Sequence, residues 1–116
     1  MEAMIPLAVT PPHFEPEHMP LSPSQRRYLK SLAHDLPAVI LLGNKGATEA
    51  VSKELGLALA HHELVKIKLS GGDKDERQGQ LDTLIAATGA EAVQQIGSVA
   101  VVFLRNNDDP KIALPR

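Results

Sequence analysis

An apolar run from Ala38 to Leu42 leads into Gly43-Asn44-Lys45-Gly46, and a helix-like pattern follows at once. A strand-to-helix turn needs at most one glycine, so the second glycine and the lysine ask for a further reason. Glycines at such a junction let the backbone turn sharply and let a ligand approach without a Cβ in the way. The unpaired amides of the first helical turn and the positive end of the helix dipole favour an anion, and Lys45 adds a mobile charge. The competing reading is a turn whose glycines serve only the backbone, and on G-x-x-G alone that plainer reading is favoured. A P-loop would need Lys-Ser or Lys-Thr after the second glycine, where Ala47 and Thr48 stand. A dinucleotide fingerprint would need a third glycine where Glu49 stands.

The basic residues Arg26, Arg27, Lys30, Lys66, Lys68 and Arg105 are the other candidates for contact with an anion. Singly, each reads as ordinary surface charge; together they belong to elements that could converge. His61 and His62 are adjacent and so diverge by about 100° on a helix, and neither H-x-x-x-H nor H-E-x-x-H occurs. No metal site and no cofactor is expected. No serine has a nucleophile-elbow setting, and Asp73, Asp75 and Glu76 read as a solvated helix start. The expectation is therefore a protein that is not an enzyme.

Composition narrows the classes further. Among 116 residues there is no cysteine and no tryptophan, and Phe14, Tyr28 and Phe103 are the only aromatics. Disulfides, thiolate zinc sites and a cysteine nucleophile are excluded, and any nucleic-acid surface lacks a stacking platform. No apolar run reaches the ~18 residues of a membrane span, and no basic residue precedes "MIPLAV", a poor signal peptide. A cytoplasmic protein is expected. The net charge is −2, but residues 1–19 hold three acids and no base, leaving 12 basic against 11 acidic residues beyond them. A balance of +1 does not announce nucleic-acid binding, so clustering must make that case.

The elements that must position these residues can be read in order. Residues 1–19 carry four of the nine prolines, with a fifth at Pro20, show no sustained periodicity and read as a disordered extension. "LSPSQRRYLKSLAHDL" opens with Ser22 as N-cap, Pro23 at the first helical position and Gln25 completing a capping box. "AVILLG" reads as a buried strand, and "ATEAVSKELGLALAHHE" as a helix capped by Thr48. "LVKIKLS" alternates, with Val65, Ile67 and Leu69 on one side and Lys66 and Lys68 on the other. A third helix is capped by Asp73 or Asp75 and closed by Gly89. "AEAVQQIGSVAVVFLR" is a hairpin about Gly97-Ser98, its second strand apolar throughout and so central. Right-handed crossovers put the second and third helices on one face of a four-stranded mixed sheet. The exposed lysines imply that the other face is at least partly open, which makes the fold α+β, a two-layer sandwich.

The blocks "LSPSQRRYLKSLAHDLPAVILLGNKGATEAV", "ALAHHELVKIKL", "TGAEAVQQIGSVAVVFLR" and "KIALPR" resemble, in order, the YhbY-like or CRM-domain family of RNA-binding proteins. The resemblance spans residues 20–116, and residues 1–18 and "SGGDKDERQGQ" fall outside its pattern. It implies an α-β-α-β-α-β-β domain similar to the C-terminal domain of translation initiation factor three. It implies RNA as ligand, met along its backbone by Gly43, Asn44, Lys45 and Gly46. For stand-alone members it implies association with precursors of the large ribosomal subunit. The expected function is a non-enzymatic RNA-binding protein of ribosome assembly, with neither DNA nor membrane as partner; a monomer is assumed, since the sequence does not give the oligomeric state. Two alternatives are a ribosome-associated protein-interaction adaptor with incidental RNA contact, and a small nucleotide-binding enzyme using the same loop. A chain beginning at Met19 is expected to melt within about 5 °C of the full protein, since the removed residues lack core periodicity; a larger fall, read by thermal denaturation, would show that they pack on the core.

Overall fold

The computed structural model describes residues 21–115, so the proline-rich extension expected over 1–19 lies outside the described residues. Within them the order is α1 (Pro23–His34), β1 (Ile40–Leu41), α2 (Glu49–His62), β2 (Leu64–Lys68), α3 (Lys74–Thr88), β3 (Glu91–Ile96) and β4 (Val99–Phe103). The helix ends follow local chemistry. Ser22 accepts from the Gln25 amide while the Gln25 side chain accepts from the Ser22 amide, with Pro23 at the first position. Thr48 caps α2 and Asp73 caps α3, the latter in a second capping box with Glu76. Gly89 ends α3 in the left-handed conformation that favours glycine.

The strands lie in the order β1-β2-β4-β3. β1 runs parallel to β2, while β4 is antiparallel to both of its neighbours. β4 is thus central, and β3 returns beside it through the two-residue loop Gly97-Ser98, where Gly97 has a φ of +57°. The alternation along β2 divides the molecule. Val65, Ile67 and Leu69 join Leu55 and Leu59 of α2 and Leu81 and Leu84 of α3 in the larger core. Each fully buried leucine there contributes about 2 kcal/mol of transfer free energy. Leu64, Val93, Val101 and Phe103 face the other way, against Leu29 and Ala33 of α1. The sheet with α2 and α3 forms the two-layer unit, and α1 adds a partial layer across its other face.

One expectation needs correction. "AVILLG" reads as a buried strand, but only Ile40 and Leu42 are buried, and Val39 and Leu41 are 50% and 66% exposed. The strand lies at the sheet edge, with Val39 and Leu42 donating to the Lys66 and Lys68 carbonyls. Its outer side chains are left uncovered because α1 packs over β2 and β3 instead.

The junction between α2 and β2 holds a fully buried charge. Glu63 has a φ of +63°, the one positive φ outside glycine among the described residues, and its side chain is completely buried. Its carboxylate accepts from the amides of Asn106 (2.7 Å), Lys111 and Ile112 (both 2.8 Å) and, at 3.4 Å, from Arg105 Nη1. Its carbonyl accepts from Leu104. A carboxylate out of water is costly unless its lone pairs are satisfied, and here the C-terminal segment supplies every donor. Glu63→Ala should destabilise the protein by about 3 kcal/mol, because three backbone amides and a guanidinium lose their acceptor together. Urea denaturation reads the change as a lowered midpoint.

Candidate nucleic-acid interface

Gly43 to Gly46 form a tight turn after β1, closed by a 3.0 Å hydrogen bond from the Gly46 amide to the Gly43 carbonyl. Gly43, Asn44 and Lys45 are exposed, whereas Gly46 is buried. The two glycines serve different ends. Gly46 has a φ of +73°, and a Cβ there would stand 3.0 Å from Gln80 Nε2, so conformation and close packing both require it. Gly43 has neither reason, since its φ is not positive and a Cβ would meet nothing within 4 Å. Its bare backbone faces open space beside an exposed lysine, just ahead of the N-terminus of α2. Thr48 Oγ1 accepts from the Val51 amide, and the other first-turn amides have no intrahelical acceptor. The arrangement favours an anion that must come close to the main chain.

Gln80 holds the turn from behind. Its Oε1 accepts from the Ser70 and Gly71 amides, and its Nε2 donates to Ser70 Oγ. The segment after β2 and the turn after β1 thus share one support. Nothing in the sequence singles out Gln80, whose partners lie 9 and 10 residues away in a glycine-rich stretch.

The basic residues whose elements could converge separate into two groups. Lys68 lies beside the turn: it pairs with Leu41, and its carbonyl accepts from Leu42, the residue before Gly43. Lys45, Lys68, Arg27 and Lys30 have no acidic partner among the described residues. The other three are engaged within the fold. Arg26 bonds Glu91 at 2.7 Å and the Ala92 carbonyl. Lys66 Nζ donates to the carbonyls of Ala33 (3.1 Å) and Leu36 (3.0 Å), neutralising the C-terminal end of α1. Arg105 donates to Glu63 and the Ile112 carbonyl and lies over the Phe103 ring. Arg26 and Arg105 sit where β3 begins and β4 ends, roughly 14 Å along the strands from Lys68.

An aliphatic groove of about 370 Å³ opens between the end of α1 and the β1–β2 edge, its walls including Leu32, Leu36, Val39 and Ile112. No pair of acid and base converges on it. Among the described residues, no helix is long and apolar enough to cross a membrane, and no three histidine, aspartate or glutamate side chains cluster as metal ligands.

Residues 21–103 match the model of the CRS1 / YhbY (CRM) domain. The chain is 43% identical to a Haemophilus influenzae protein named "RNA-binding protein", over 83% of this chain and 96% of that one. It is 40% identical to the Pseudomonas aeruginosa "Probable RNA-binding protein PA4753", over 76% of this chain and 85% of the other. The solution structure of SAV1595 from Staphylococcus aureus superposes with a TM-score of 0.71 at 34% identity, covering 82% of this chain and 99% of that one. The fold is therefore shared as well as the sequence.

The division of labour between the glycines can be tested. Gly46→Ala should cost about 1–2 kcal/mol of stability, from the left-handed backbone and the approach of Gln80. Gly43→Ala should stay within about 0.5 kcal/mol of wild type and yet weaken RNA binding. Thermal melts and a filter-binding titration together distinguish the two.

Proposed function

Because the chain belongs to the CRS1 / YhbY (CRM) domain family, we propose that it is a non-enzymatic RNA-binding protein of the cytoplasm. In this reading it associates with precursors of the large ribosomal subunit and assists their assembly. The observation that carries the RNA reading is Gly43: a glycine with no conformational or packing need, its main chain bare to solvent, next to Lys45 and ahead of a helix N-terminus. Such a turn accepts a sugar–phosphate backbone without reading its bases, so contacts to phosphate set register and affinity. Lys45 and Lys68 supply charge at the turn, with Arg27 and Lys30 on α1. Arg26, Lys66 and Arg105 hold the fold in shape behind that surface. The names of the relatives support the class of ligand. The ribosomal precursor is the partner that the resemblance of the stand-alone proteins implies.

Two changes in the turn test this reading. Lys45→Ala removes one exposed charge and should weaken RNA binding while stability stays within about 0.5 kcal/mol. Asn44→Asp with Lys45→Asp keeps both glycines and places negative charge at a helix N-terminus, which the dipole tolerates. The double variant should remain folded, lose RNA binding and no longer sediment with large-subunit precursors in cell extracts. Wild-type affinity should fall steeply as salt rises, as phosphate contacts require. A folded double variant that joins the precursors as wild type does would leave the glycines as a plain turn and favour the adaptor alternative.

A further inference from the structure

The strand registers place one row of side chains across the full width of the sheet at the end where the glycine turn emerges. Leu41 of β1 pairs with Lys68 of β2, Lys68 with Val99 of β4, and Val99 with Ile96 of β3. Cross-strand partners point to the same side, and for this row that side is the one α1 covers elsewhere. The helix lies over Leu64, Val93, Val101 and Phe103, the part of the sheet farther from the turn. The row itself is open: Leu41 and Ile96 are each 66% exposed, Val99 is half-buried, and Lys68 is exposed. Lys66, the other lysine on this side of β2, is tied to the carbonyls of α1. Lys68 has no such tie.

Building on the RNA-binding reading of the turn, we propose that the bound RNA continues from Gly43–Gly46 onto this row. Its unpaired nucleotides lie against Leu41, Val99 and Ile96, with Lys68 on their phosphates. Charge sets the direction. On the α2 and α3 side the turn is flanked by Glu49 and, through the shared Gln80 support, by the start of α3, where Asp73, Asp75 and Glu76 outnumber Lys74 and Arg77. A phosphate chain is repelled there and admitted on the side of Lys68. Four strands about 4.8 Å apart give the row a width of roughly 14 Å, comparable to four-stranded sheets that seat two or three bases in other RNA-binding modules. In a duplex the base faces are covered by their neighbours, so only unpaired nucleotides can present them to aliphatic side chains. A protein partner suits the row less well, because charge is depleted at the centre of protein interfaces and Lys68, without an acidic partner among the described residues, stands in the middle of this one.

The full-length protein can be titrated with a labelled oligouridylate of about twelve nucleotides, long enough to span turn and row, and with a duplex of similar length. Ile96→Ser and Leu41→Ser, on separate strands and at exposed positions, should each weaken binding to the single strand about fivefold, a modest interface truncation. They should leave duplex affinity and salt slope unchanged. Lys68→Gln should reduce the slope of log affinity against log salt by about 0.7, one phosphate on a single strand. Leu57→Ser, exposed on α2, should change nothing. Three results would overturn the proposal. In one, both serine variants bind the single strand as wild type does while the double-Asp turn variant does not, and the RNA reading of the turn survives alone. In another, single strand and duplex lose affinity equally. In the third, wild type is a dimer that Ile96→Ser dissociates in sedimentation with RNA affinity intact, and the row is a contact between copies. Wild-type protein that binds neither RNA would remove the turn reading along with this one.

Discussion

The Glu63 carboxylate is the contact on which the rest of the arrangement hangs. It sits where α2 ends and β2 begins, with a positive φ that a residue other than glycine holds only when its surroundings impose it. What imposes it is the set of donors from residues 105–112. One side chain thereby ends a helix, aims the strand that follows and fixes the path of the chain after β4. That path carries Ile112 and Leu114 to the α1 side of the sheet, where they pack on the smaller core. Near the C-terminus, the Pro115 carbonyl accepts from Gln25 of α1. The covering of one face of the sheet thus depends on a residue of the α2–β2 junction.

Polar contacts at the two ends of α1 then decide how much of that face it covers. Glu91 accepts from the Leu21 amide and from Arg26 at the start of the helix. Lys66 meets its last carbonyls at the other end. A helix of 12 residues is about 18 Å long, enough to cross from the beginning of β3 to the middle of β2 and no farther. The end of the sheet nearest the glycine turn stays bare. The molecule is accordingly divided lengthwise. One end holds the satisfied charges Glu63, Arg105, Arg26 and Glu91, and the other holds Lys45 and Lys68 without acidic partners among the described residues. A net charge of −2 conceals this because it averages over both ends.

Those features whose causes lie close along the chain were legible in the sequence. The capping box at Ser22, the Thr48 cap, the choice of Asp73 or Asp75 as cap of α3, the turn at Gly97 and the alternation along β2 all depend on residues within a few positions of one another. Central placement of β4 followed from its unbroken apolarity. The family resemblance added the ligand class. What stayed hidden rests on long separations. Glu63 reads as an ordinary charge after two histidines, since its partners lie 42 to 49 residues away. Lys66 and Lys68 are indistinguishable as a pair, and only the placement of α1 ties one and leaves the other. "AVILLG" has the composition of a doubly covered strand, and nothing in those residues says that the covering helix stops short of it.

The two glycines of the turn show how conformational constraint and openness combine within four residues. Gly46 is fixed by its positive φ, by the hydrogen bond to the Gly43 carbonyl and by Gln80 at its back. Gln80 is itself held by three bonds to Ser70 and Gly71. Four residues closed by one hydrogen bond have little freedom once the last is pinned, so Gly43 is held in place although nothing packs on it. A flexible loop would have to lose its freedom on binding, which weakens association. Here the fold has already imposed that loss, and no side chain at Gly43 blocks approach to the main chain. Spacing is therefore as informative as composition: glycines at the first and fourth positions of a turn let one be locked by the protein while the other stays open to solvent.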